Sequence, residues 1–162
     1  MRYRDQPTLE LTERVQCDVP TAWQLVTDIE VPARCSSELQ AVQWLGDADA
    51  VRVGARFRGT NQNDALGTWD AECEIVEVES DGDVRRWVWN VLVPEGVGAT
   101  WAFEVEPARD GVLIRQWGRM GPDPSGLSLA IAARPELEGR IVSRRLGDWE
   151  QGMRANLDYV RA

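Results

Sequence analysis

The chain contains no histidine. That removes the commonest general base near neutral pH and the commonest metal ligand, and it excludes Ser-His-Asp and Cys-His triads. Cysteine is scarce. Cys17, Cys35 and Cys73 are widely spaced and form no Cys-x-x-Cys, so neither a zinc site nor a dithiol redox motif is indicated. No cluster of Asp, Glu and Cys has a metal spacing either, and the expectation is no metal and no cofactor. Two of the cysteines sit in strand-like runs, and the three read as reduced core residues. Long apolar runs are missing too: none reaches the roughly 18 residues of a spanning helix. The start, Met1-Arg2-Tyr3-Arg4-Asp5-Gln6-Pro7, has no apolar signal-like core. The expectations are no membrane insertion and a cytoplasmic location.

Positive charge is also in deficit, with 18 basic against 27 acidic residues and a net charge of −9. Nucleic-acid binding draws mainly on neutralised phosphates, so a nucleic-acid partner is not expected. The same deficit argues against docking on anionic lipid, which attracts clusters of Lys and Arg.

What is present is apolar and aromatic. Hydrophobic residues make up 43% of the 162, enough for one globular domain, 1–162, with a real core. Eight tryptophans give several large rigid surfaces, each with one N–H to satisfy.

Residues 8–18 alternate, with Leu9, Leu11, Val15 and Cys17 on one face and charged or polar residues on the other, as in a half-buried strand. Asp18 with Pro20 behind it reads as a helix start, with Trp23 and Val26 facing inward. Pro32 is expected to break that helix, and a second short one is placed near Ala33 to Leu39. From about 41 to 120 the chain reads as an antiparallel meander. Its connections are marked by Asn61-Gln62-Asn63-Asp64 before Gly67, by Asp81-Gly82, by Pro94-Glu95-Gly96 and by Asp110-Gly111.

Alternation assigns Phe57, Trp69, Trp87, Trp89, Trp101 and Phe103 to one face. It sets Arg56 and Arg58 beside an acidic strand at 70–74, and Glu104 and Glu106 beside Arg115 and Arg119, on the other. Gly121-Pro122-Asp123-Pro124-Ser125-Gly126 ends the meander. Proline lacks the N–H that a phosphate loop needs, so this reads as a connection at the edge of a pocket. After Pro135 a last helix carries Val142, Leu146, Trp149, Met153, Leu157 and Val160 on one stripe.

A strand, two helices, a six-strand meander and a long terminal helix form a recognisable order. With Val15-x-Cys17-Asp18-Val19-Pro20-x-x-x-Trp23, Asp28 beyond it, and Val53-Gly54-Ala55-Arg56-Phe57, it resembles the START-like superfamily, in its polyketide cyclase/dehydrase-type branch. The resemblance implies an α+β helix-grip fold, a curved antiparallel sheet of about seven strands around a long C-terminal helix. It also implies a cavity between sheet and helix.

The expected pocket set is Phe57, Asn61, Trp69, Trp87, Trp89, Trp101, Phe103, Gln116, Arg145, Trp149 and Met153, with Asn156 flanking the stripe. Apolar walls with a few polar groups suit a small hydrophobic or aromatic ligand such as a lipid, quinone or polyketide. Glu13 stands on the apolar parity of its strand. It reads as a turned-out residue, as a partner of Arg115 or Arg119, or as a buried acid of raised pKa. Gly59 and Gly118 read as points of sheet curvature. Three functions remain open: a binding protein, a cyclase- or dehydratase-type enzyme, and an interaction module with a filled core. A homodimer is open as well.

Overall fold

The computed structural model describes residues 1–161. Strand β1 (Thr8–Val15) leads into helices α1 (Val19–Val26) and α2 (Val31–Cys35). Six strands follow: β2 (Leu39–Trp44), β3 (Arg56–Asn63), β4 (Gly67–Glu79), β5 (Arg85–Val93), β6 (Gly96–Ala108) and β7 (Gly111–Met120). Helices α3 (Gly126–Ala133) and α4 (Glu138–Arg161) close the chain. The seven strands form one antiparallel sheet in the order β1-β7-β6-β5-β4-β3-β2, so β1 folds back onto the last strand. At 24 residues, α4 is about 36 Å long and lies across the concave face. This is the helix-grip fold.

Local chemistry explains the elements. Asp18 caps α1 by accepting a hydrogen bond from the Thr21 N–H at 2.9 Å. Pro32 does not end a helix. It sits in the first turn of α2, where its missing N–H would have had no partner, so α2 begins at Val31 and stops at Cys35, and Leu39 already belongs to β2. The β6–β7 hairpin turns through Asp110 at φ 64°, a left-handed conformation that Asp tolerates better than most residues.

The convex face carries the expected charge pairs. Arg56 meets Glu74, Arg58 meets Glu72, and Arg115 reaches Glu10, Glu104 and Glu106. Arg119 departs from the expectation and lies over the Trp117 ring at 5.5 Å. Glu104 also accepts from Trp117 Nε1 and Arg86. Burial pushes its carboxyl up, but these hydrogen bonds and charges outweigh it and leave it below the usual range.

The concave face holds the core in two groups. Toward the closed end, Val15, Val26, Phe57, Ile75, Trp87, Phe103, Val105, Ile114, Leu157 and Val160 pack together. Toward the mouth, Ala99, Met120, Val142, Trp149 and Met153 form a second group. All three cysteines are free. Cys73 is buried, and burial pushes its thiol up to about 12.

Candidate functional site

Strand register sets the inner face in rows. One row runs Ile75, Trp89, Trp101, Gly118 and Leu9 across five strands, and the next runs Trp87, Phe103, Gln116 and Leu11. Nearer β2, Asn61 pairs with Trp69. The aromatic members are continuous. Trp87 and Trp89 stack at 4.3 Å, and both approach Phe103 and Phe57 within 6.4 Å. Trp101 meets Trp149 of α4 at 4.4 Å.

The expected set therefore divides. Phe57, Trp87 and Phe103 are buried in the closed-end core, and Trp87 donates its indole N–H to the Val26 carbonyl at the end of α1. Trp149 and Met153 are buried midway along α4, in the mouth-side group. Asn61, Trp69, Trp89, Trp101 and Arg145 are only half buried although they face inward. Among the described residues, the side chains of Asn61, Trp69, Trp89 and Trp101 have no hydrogen-bond partner, and none of their polar atoms is sealed from solvent. The concave face near the mouth is thus apolar in area and rich in unpartnered donors.

Gln116 is the deepest polar group, at 3% exposure. Its Oε1 accepts from Asn156 Nδ2 at 3.2 Å, and Asn156 Oδ1 accepts from Cys35 Sγ at 3.2 Å. This chain ties α2, α4 and β7 together and fixes the Gln116 amide plane. Its Nε2 is left with no partner among the described residues and is not sealed off. An amide nitrogen that solvent reaches can bond to water or to a ligand.

An ion pair joins α4 to the start of β2. Arg145 of α4 donates to both carboxylate oxygens of Glu38, in the segment entering β2, and its guanidinium lies 5.7 Å from the Trp69 ring centre. Ser36 Oγ holds Glu38 in place by accepting from the Glu38 and Leu39 N–H groups, and Asn63 Nδ2 donates to Glu38 at 3.0 Å. Burial pushes the Glu38 carboxyl up, but Arg145 and Asn63 outweigh it and hold it below its ordinary value.

Two inward glycines have steric roles beyond curvature. A Cβ on Gly118 would lie 2.8 Å from the Trp101 ring, so Gly118 lets that indole lie flat on β7. A Cβ on Gly59 would stand 3.0 Å from Leu39 Cδ1.

Glu13 requires a correction. It faces inward, opposite Ile114, whereas Arg115 and Arg119 belong to the convex face and cannot reach it. Its partners are Arg154 and Arg161 of α4, at 3.1 and 3.4 Å. Two guanidinium groups and a partly wet site make it an ion-paired brace between β1 and α4, away from the mouth.

Two hollows lie elsewhere, and neither is lined by α4 or by a residue of the expected pocket set. One of about 680 Å³ lies between the α1–α2 connection, β2 and the loop after it, lined by Trp23, Ile29, Val42 and Trp44 among others. One of about 440 Å³ lies on the convex face beside Trp117 and Arg119. Among the described residues no group of His, Cys, Asp and Glu is arranged to hold a metal ion. None of the described helices is long and apolar enough to cross a membrane.

Residues 6–147 match the family model described as polyketide cyclase / dehydrase and lipid transport. The chain belongs to that family. No curated protein matches it. Among solved structures it is similar to the Polyketide_cyc-like protein Cgl2372 of Corynebacterium glutamicum, at 22% identity and TM-score 0.62 over 95% of this chain and 88% of that one. It is similar to protein jhp0584 of Helicobacter pylori, at 15% identity and TM-score 0.66 over 95% and 86%. It also overlays the di-domain ARO/CYC BexL of the BE-7585A biosynthetic pathway, at 12% identity and TM-score 0.69 over 96% of this chain and 49% of that one. At these identities the likeness is one of fold.

Within this polyketide cyclase / dehydrase family fold, the residues that sequence reading missed are Glu38, Asn63 and Cys35. Glu38 falls where the sequence suggested the end of a short helix and the structure has the segment entering β2, and its partner is 107 positions away. No local signal marks it.

Proposed function

We propose that the protein binds an apolar or aromatic small molecule between the concave sheet and α4, at the mouth side of the grip. The observation that carries this reading is Gln116, buried on the inner face beside the Trp101 row with its Nε2 unpartnered among the described residues. The other inner-face groups without partners among the described residues are mostly donors: the indole N–H groups of Trp69, Trp89 and Trp101. A donor-rich, apolar wall suits a flat or chain-like molecule that carries carbonyl or hydroxyl oxygens, such as a quinone or polyketide. Membership of the polyketide cyclase / dehydrase and lipid transport family supports the same class. Affinity would come from apolar burial, at roughly 25 cal/mol per Å² before the costs of association. Orientation would come from Gln116.

A cyclase- or dehydratase-type reading has one observation in its favour. Glu38 is held ionised beside Arg145 over the face of Trp69, so a guanidinium and a carboxylate stand together. If Glu38 swings aside, Arg145 can polarise a ligand carbonyl and Glu38 can accept a proton.

Titrating tryptophan fluorescence with naphthoquinones, anthraquinones and fatty acids tests the binding reading. Saturable quenching by the carbonyl-bearing aromatics is expected, weakened about tenfold in Gln116→Leu, since one net hydrogen bond is worth about 0.5–1.5 kcal/mol. No saturable response from any of the three classes, or an unchanged affinity in Gln116→Leu, would count against it.

A further inference from the structure

Two carboxamides in contact can be hydrogen-bonded in either direction with almost the same heavy-atom positions, because each carries an acceptor on one arm and a donor on the other. Asn156 and Gln116 are such a pair, 5% and 3% exposed, with Asn156 Nδ2 donating to Gln116 Oε1 at 3.2 Å. The pair itself does not set the direction of that bond. What meets the two outer arms, Asn156 Oδ1 and Gln116 Nε2, sets it.

At the Gln116 end no side chain of the sheet decides it. The strand neighbours of Gln116 are Leu11 on β1 and Phe103 on β6, whose side chains have no polar atom. Gln116 Nε2 has no partner among the described residues. The decision falls to the other end, where Asn156 Oδ1 meets Cys35 Sγ at 3.2 Å. The thiol has one hydrogen, shared between Asn156 Oδ1 and the Val31 carbonyl, also at 3.2 Å. Burial pushes the Cys35 thiol above its ordinary value, which keeps that hydrogen on sulfur. Sulfur is a poor acceptor for an amide N–H, so the oxygen arm of Asn156 is the one that faces it. The nitrogen arm of Asn156 then turns to Gln116, Gln116 answers with its oxygen, and the Gln116 nitrogen is the arm left free.

We propose that Cys35 is a positioning residue that sets the polarity of the binding site: its thiol hydrogen, relayed through Asn156, makes Gln116 present a donor and so selects ligands that bring a carbonyl over those that bring a hydroxyl. The inference rests on the binding reading above and narrows its ligand class. Cys35 acts through Asn156 and not by contact with the ligand. An acceptor in place of the thiol reverses each step. Asn156 then turns its nitrogen arm to position 35 and its oxygen to Gln116, and Gln116 presents its own oxygen, which selects a hydroxyl.

Calorimetric titration of the full chain with acetylnaphthalene, which can only accept, and with naphthol, which donates strongly and accepts poorly, reads the polarity as a ratio of two affinities. That ratio is unaffected where a variant merely lowers the folded fraction. Cys35→Ala removes the bias and should lower the preference for acetylnaphthalene about threefold. Cys35→Asp supplies an acceptor and should reverse the preference, about tenfold or more from the parent, since the hydrogen bond is lost by one probe and gained by the other. Cys35→Ala, a smaller side chain at a half-buried position, carries the test alone where Cys35→Asp does not fold. In a Gln116→Leu background the ratio should no longer respond to the residue at position 35. An unchanged ratio in the Cys35 variants, with both probes still bound, overturns the role of Cys35 and leaves the binding reading standing. A change that persists in Gln116→Leu overturns it as well, because the relay then does not run through that amide. Binding of neither probe to the parent overturns both.

Discussion

The closed end of the grip and its mouth are built on the same strands and the same helix, and they solve the problem of polar groups differently. At the closed end the tryptophan N–H of Trp87 is spent on the Val26 carbonyl, and Ile75, Val105 and Ile114 around it are fully buried. Toward the mouth Trp69 and Trp101 keep their N–H groups unpartnered, as does Trp89 where it stacks on the closed-end core, Asn61 does the same, and Gln116 uses only one end of its amide. The closed end is finished as a core. The mouth leaves these groups to solvent or, on the proposed reading, to a ligand with acceptor oxygens. A stretch of one continuous sheet can thus be structural in one half and receptive in the other, and the difference lies in hydrogen-bond satisfaction more than in hydrophobicity.

The sharpest way to break this contrast is to truncate one residue from each half. Phe103→Ala should cost about 3–5 kcal/mol in denaturant unfolding, through lost burial and a cavity. Asn61→Ala should stay within about 0.5 kcal/mol, as expected of a half-exposed side chain without partners. Comparable costs for the two would mean that the mouth is packed like the core.

The next test concerns the boundary between the halves. Asn156→Ala leaves Gln116 Oε1 without a partner, Cys35 Sγ keeping its bond to the Val31 carbonyl, and should cost about 1–3 kcal/mol by the same measurement. It should also weaken ligand quenching, because the Gln116 amide loses its orientation. A loss of stability with unchanged quenching would make that chain a purely structural one.

The Glu38–Arg145 pair gives a pH signature. Glu38 sits below its ordinary value of 4.5 in the folded chain. Its contribution is therefore complete above that value and is lost as pH falls through the lowered folded value. Glu38→Gln should cost about 1–2 kcal/mol at neutral pH, and the gap to the parent should close on acidification. A gap constant from neutral pH down to acid unfolding would contradict the ion pair. The smallest effect is expected at the brace. Arg154 and Arg161 are largely exposed, so Glu13→Gln should cost under about 1 kcal/mol in thermal unfolding and leave ligand quenching intact. A drop in quenching would return Glu13 to the site.

Much of this was legible in the sequence for a physical reason. Period-two alternation sorts Trp69, Trp89, Trp101 and Gln116 onto one face, and the stripe from Val142 to Val160 places α4 against it. The meander turns are written in Asp-Gly and Pro-Glu-Gly. What could not be read were pairings between distant segments. Glu13 looked odd in its strand, but the arginines that answer it are 141 and 148 positions away on α4. Pro32 was read as an interruption because proline ends and begins helices alike, and only the chain before it decides which. The division of the aromatic set was also invisible, since parity says which side a residue faces and not whether α1 has already filled the space above it.

Native mass spectrometry of the protein purified from its own cells, before and after denaturation, bears most directly on the claim that the mouth is completed by a ligand. The expected result is a reproducible extra mass that disappears on denaturation and is depleted in Gln116→Leu. A clean unliganded mass in parent and variant, together with no fluorescence response to quinones or fatty acids, would contradict it and make the mouth another part of a filled core.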